Sequence, residues 1–128
     1  MTTTTDAWMV QIFEAIDSMQ AEKFASYFAQ ESLFRFGNAE TVRGPQAIKE
    51  ANTTFFHSIA KLEHHITGIW HGKWEHGPVV SVEANVTYTR KDGTQTAPLP
   101  ATSTIRIQAD KIKEYRIFVD ISPLFATS

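Results

Sequence analysis

Residues 110–120, DKIKEYRIFVD, alternate apolar and charged side chains and end on a carboxylate. Strand side chains alternate faces, so Ile112, Glu114, Arg116, Phe118 and Asp120 are expected on one face and Lys113, Tyr115, Ile117, Val119 and Ile121 on the other. Neither set is cleanly polar. A strand of this kind is expected to be covered on both sides, where a charge is costly unless it is paired or put to use. Asp120 is therefore the residue whose role needs explaining.

Working back from this strand, residues 62–70, 79–90 and 98–108 read as strands too, with the last strand running over 111–121. The segment 79–90 alternates most clearly. Val80, Val82, Ala84, Val86, Tyr88 and Arg90 share one face, and Ser81, Glu83, Asn85, Thr87 and Thr89 the other, which predicts one core face and one wet face. Asp92-Gly93 signals a hairpin and Ala109-Asp110 a second tight turn, so consecutive antiparallel pairing is the expected topology. Trp70 and Trp74 flank His71-Gly72-Lys73, where a further hairpin and a contact with a partner subunit are expected.

The first half of the chain is helical in pattern. Asp6 can cap a helix whose apolar residues Trp8, Met9, Ile12, Phe13, Ile16 and Met19 form one stripe. A second, shorter helix is predicted over 22–30, a short strand over 32–37, and a third helix opening at Gly44-Pro45, where proline is tolerated in the first turn. Helices first and sheet last indicate an α+β domain.

At 128 residues the chain is one domain, 1–128, with an ordered core expected at about 7–125 and frayed ends at 2–5 and 127–128. Nine Phe and three Trp are enough to pack a core and leave aromatic surface for a cavity. The formal net charge of -2 and the lack of any Lys/Arg run argue against nucleic-acid and anionic-membrane partners. The chain has no cysteine, which suits a reducing cytoplasm and removes thiolate chemistry. No segment reads as a signal peptide or a membrane span. His57, His64, His65, His71 and His76 lack metal-ligand spacing, since adjacent His64 and His65 on a strand point to opposite faces. Glycine-rich phosphate loops and nucleophile elbows are also missing, so no cofactor is expected.

The stretch FASYFAQESLFRFGNAETVRGPQAI (24–48), followed by the meandering strands and DKIKEYRIFVD, resembles the nuclear transport factor 2-like superfamily and, more narrowly, a SnoaL-like domain. The resemblance covers about residues 8–125. It implies a strongly curved antiparallel sheet wrapped around about three N-terminal helices, forming a cone with an internal pocket, and a homodimer through the outer sheet face. The fold hosts several chemistries, so function rests on pocket residues. The acid/base positions of ketosteroid isomerases fall on Phe13, Phe36 and Ser103, where a Phe cannot move a proton. Against limonene-epoxide hydrolases, Arg116 and Asp120 match the closing strand, while the water-holding positions are Phe34 and Phe36 and the proton-donor pair falls at Tyr88-Thr89-Arg90. Polyketide cyclases of the SnoaL type place their closing-strand acid nearer Ile117.

Combining the inward faces with this resemblance gives a lining of Phe13, Phe34, Phe36, Tyr88, Arg90, Ser103, Ile105, Arg116, Phe118 and Asp120. The expected catalytic group is Asp120, assisted by Tyr88 and Arg116. Phe13, Phe34, Phe36, Arg90, Ser103 and Phe118 are expected to bind ligand. Asp120 has a competing role, either pairing with Arg90 or Arg116 or capping nearby backbone amides. The resulting expectation is a cytoplasmic domain that binds a small, mostly apolar organic molecule, with acid/base chemistry by Asp120. The alternatives are a non-catalytic binding or dimerisation module and an epoxide hydrolase-like enzyme.

Overall fold

The computed structural model describes residues 6–126, so the fraying expected at 2–5 and 127–128 lies outside the described residues. The elements run α1 (Asp6–Asp17), α2 (Ala21–Ala25), β1 (Phe28–Phe36), β2 (Val42–Arg43), α3 (Gly44–His57), β3 (Lys61–Trp74), β4 (Gly77–Thr89), β5 (Leu99–Gln108), β6 (Lys111–Val119) and α4 (Ser122–Phe125). The six strands form one curved sheet in the order β2-β1-β6-β5-β4-β3, antiparallel except where β1 lies parallel to β6. The fold class is α+β, as the order of sequence patterns indicates. None of the described helices is long and apolar enough to cross a membrane.

Helix α1 buries Met9, Ile12, Phe13, Ala15 and Ile16, the stripe its spacing dictates. Helix α3 starts with Pro45 in its first turn and buries Ile48, Asn52 and Phe56, one residue per turn. Helix α2 stops at Ala25, earlier than its helical pattern, because the chain is drawn into the sheet. There the Tyr27 carbonyl accepts the Ile112 N–H at 2.9 Å and Phe28 pairs with Ile112. Strand β3 is longer than its apolar run. It continues to Trp74 and turns at Glu75-His76, so the hairpin lies beyond His71-Gly72-Lys73. The Trp74 indole N–H donates to the Ile107 carbonyl at 3.0 Å. Gly77 is needed beside it, since a Cβ there would sit 2.6 Å from the same oxygen.

The closing strand corrects the face assignment made from sequence. In the β5–β6 ladder Arg106 pairs with Glu114 but Ile107 pairs with Ile112, leaving Lys113 as an extra residue. This bulge reverses the alternation beyond it. Ile112 and Tyr115, both 0% exposed, point into the core, whereas Phe118 is 49% exposed. Glu114, Arg116, Phe118 and Asp120 therefore belong to the outer face and its end. Inside, Phe24, Phe28, Phe34 and Tyr115 pack as an aromatic cluster with ring centroids 5.1 to 6.3 Å apart.

Candidate functional site

The sheet and helices α1 and α3 leave a cavity with about 40 Å³ of room for water centres. Widened by a water radius on every side, this is a void on the order of 150 Å³. Aromatic and aliphatic side chains dominate its wall. Phe13 and Ile16 come from α1, Phe34 and Phe36 from β1, Phe55 from α3 and Val82, Ala84 and Val86 from β4. The polar groups that reach it are Asn52, His64, Tyr88, Ser103 and Tyr115.

Five sequence-predicted residues meet in this cavity: Phe13, Phe34, Phe36, Tyr88 and Ser103. Four do not. Asp120 is exposed, and its Oδ1 accepts the Ser122 N–H at 3.0 Å. Hydrogen bonds from the Ser122 hydroxyl and backbone hold its carboxyl below the usual aspartate range. Of the roles open to it, backbone capping is the one the geometry provides. Arg116 lies on the outer face with its guanidinium 4.8 Å from the Phe118 ring centre, so neither residue reaches the cavity. Arg90 donates to the carbonyls of Pro123 and Leu124, at 2.9 and 3.1 Å, and to the Thr94 hydroxyl. It fastens α4 to the sheet. Ile105 is fully buried but belongs to the packed core beside the cavity.

His64 and Asp17 form the ionisable pair at the cavity. Asp17 ends α1 and His64 lies on β3, with His64 Nδ1 2.6 Å from Asp17 Oδ1 and the His64 backbone N–H donating to Oδ2 at 3.0 Å. An ionised carboxylate can only accept, so the imidazole proton sits on Nδ1. Nε2 is left as a free lone pair, with no protein partner among the described residues. The His64 side chain is 12% exposed and its ring meets Phe13 edge-on at 5.0 Å. At the other end of α1, Asp6 Oδ1 lies 2.7 Å from His71 Nε2. The helix is thus tied to β3 at both ends, which holds Phe13 and Ile16 over the cavity.

Burial, then the charge of Asp17, pushes the Tyr88 phenol up to about 12. Burial also raises Tyr115, with the Ser103 hydroxyl opposing it and Asp17 adding to it. Both phenols stay neutral donors at working pH, Tyr88 beside Phe55 with ring centroids 5.9 Å apart and Tyr115 within the Phe24, Phe28 and Phe34 cluster. Tyr115 Oη is buried and has no partner in hydrogen-bonding geometry among the described residues. Asn52 donates to the Ile48 carbonyl at 2.8 Å. Among the described residues no three His, Asp or Glu side chains converge as a metal site would require.

The sequence reading did not single out Asp17, His64 or Tyr115. Leu62, His64 and Ile66 alternate as an inward row, which is a signal for His64. The carboxylate that holds His64 lies 47 residues away and has no local signature. Tyr115 needs the bulge to be known.

A family model described as SnoaL-like domain matches residues 9–115. No curated protein matches the chain. Solved structures with the same fold include a protein of ketosteroid isomerase-like fold from Catenulispora acidiphila DSM 44928 in complex with trimethylamine. It is 17% identical, with a TM-score of 0.79 over 94% of this chain and 90% of that one. An NTF2-like protein of unknown function from Exiguobacterium sp. 255-15 is 22% identical, with a TM-score of 0.71 over 88% and 97%. An LEH-like epoxide hydrolase from M. tuberculosis is 13% identical, with a TM-score of 0.69 over 91% and 83%.

Proposed function

The chain belongs to the SnoaL-like domain family, and on that premise we propose that its cone takes up a small, mostly apolar organic molecule and moves a proton on it through His64. The observation that carries this reading is the 2.6 Å contact of Asp17 with His64 Nδ1 at the wall of an apolar cavity. The contact leaves Nε2 as a base, while Asp17 stabilises the imidazolium that forms when Nε2 takes a proton. The neutral Tyr88 hydroxyl can donate to an oxygen on which negative charge develops. Returning the proton from Nε2 to another atom completes an isomerase- or cyclase-type reaction and regenerates the neutral ring. The acid/base role thus passes from Asp120 to His64. A hydrolase route through Asp120 has no support in a carboxylate that lies outside the cavity.

The test is deuterium exchange in D₂O at the carbons beside the carbonyl of cyclohexanone, followed by NMR. The wild-type protein should accelerate exchange over buffer, His64→Asn should lose about a hundredfold of the acceleration, and Asp120→Asn should retain it. No acceleration by the wild-type protein would sink the proposal.

A second, non-catalytic reading draws on the other Asp17 contact, the hydrogen bond to the His64 backbone at 3.0 Å, which fastens α1 to β3. In a purely binding module, Asp17→Asn lowers stability by about 1 to 3 kcal/mol and there is no exchange to lose. For assembly, we propose a cytoplasmic homodimer through the outer sheet face. Support comes from the exposed aromatics on that face, Trp70 at 55% and Phe118 at 49%. The lack of cysteine suits a reducing compartment.

A further inference from the structure

We propose that the Tyr115 hydroxyl is the residue that selects the ligand, and that the ligand is an uncharged ring-sized molecule carrying a hydrogen-bond acceptor such as a carbonyl oxygen. The inference rests on reading the cavity as a ligand site and adds the chemical class that the site takes.

Three observations carry it. Tyr115 is 0% exposed and lines the cavity, and although the Ser103 hydroxyl stands close enough to its Oη to favour the ionised form, no group among the described residues meets that oxygen in hydrogen-bonding geometry. A buried hydroxyl without a partner costs stability, and that cost is recovered when a ligand brings an acceptor to it. The Lys113 bulge is what turns this residue inward, so the backbone irregularity of the closing strand and the unpaired hydroxyl have a common origin. Among the described residues the lining contains no Lys, Arg, Asp or Glu, and the Asp17 carboxylate behind it is already bonded to His64. An anionic ligand finds no cation there, and a cationic one finds no free carboxylate. The void, on the order of 150 Å³, takes a molecule of roughly six to eight heavy atoms.

The matched probes are cyclohexanone and methylenecyclohexane, which share a shape and differ in the acceptor, with cyclohexanecarboxylate as the charged control. Binding to the purified protein is measured by NMR titration. The wild-type protein should prefer cyclohexanone about fivefold or more over methylenecyclohexane and bind the carboxylate more weakly than either. In Tyr115→Phe the preference should fall to within about twofold, while the melting temperature of the free protein stays level or rises because an unpaired polar group has been removed. Wild-type protein labelled at tyrosine Cζ gives an independent readout. The Tyr115 signal should move with cyclohexanone and stay in place with methylenecyclohexane.

Equal binding of the two rings, a preference that survives Tyr115→Phe, or a lowered melting temperature in that variant overturns the assignment while leaving the cavity a ligand site. Failure of both rings to bind overturns the ligand-site reading and this inference together.

Discussion

Tyr88 is 3% exposed and its phenol is pushed from 10.0 to about 12, first by burial and then by Asp17. Because the folded value lies above the unfolded one, the associated stability is fully present below pH 10 and is lost as pH rises toward 12. The span amounts to roughly 3 kcal/mol. Urea unfolding at pH 8 and pH 11 should show about half of this loss from Tyr88 in the wild-type protein, and a correspondingly smaller total loss in Tyr88→Phe. Asp92 acts in the opposite direction. Hydrogen bonds from the Thr94 hydroxyl and backbone hold it below 3.8, so its contribution is complete above that pH and fades as pH falls through the lowered value. Asp92→Asn should flatten the acid side of a melting curve taken against pH. Individual residues were legible where strand alternation held, as at Tyr88 and Ser103. Asp17 was not, because its partner is fixed by the packing of α1 on β3 and not by neighbours in the chain.

At the scale of elements, the strongest constraint is the register of β6. Deleting Lys113 would remove the bulge and send Tyr115 and Ile117 outward while Arg116 and Phe118 turn into the core. The deletion should prevent folding, as judged by loss of cooperative unfolding in circular dichroism, whereas Lys113→Ala should fold normally. The aromatic cluster gives a graded counterpart. Phe24 is 1% exposed with three aromatic neighbours within 5.8 Å, and Phe24→Ala should cost about 3 to 5 kcal/mol in urea unfolding. The order of elements was readable from periodicity and turn residues, and the Gly44-Pro45 helix start and the Asp92-Gly93 turn fall where those residues place them. The ends of α2 and β3 were not, since sheet pairing at Phe28 and the Trp74 bond to Ile107 override local pattern. A bulge has no side-chain signature, which is why the parity of the closing strand was inverted and Asp120 was placed inside.

For the whole molecule, the curved sheet and α1 form an apolar container with one ionisable pair at its wall, and this arrangement gives a chemical meaning to a fold shared by proteins with different activities. In the proposed function Asp17 holds His64 in the tautomer whose bare Nε2 serves the cavity. The direct measurement is a long-range ¹H–¹⁵N NMR correlation of the imidazole rings, recorded at a pH where His64 is neutral, with and without cyclohexanone. His64 should show a protonated Nδ1 and an unprotonated Nε2, with the Nε2 signal moving as the ring binds and the tautomer preference lost in Asp17→Asn. A proton found on Nε2, or an Nε2 signal indifferent to a ligand that binds the cavity, would contradict that proposal.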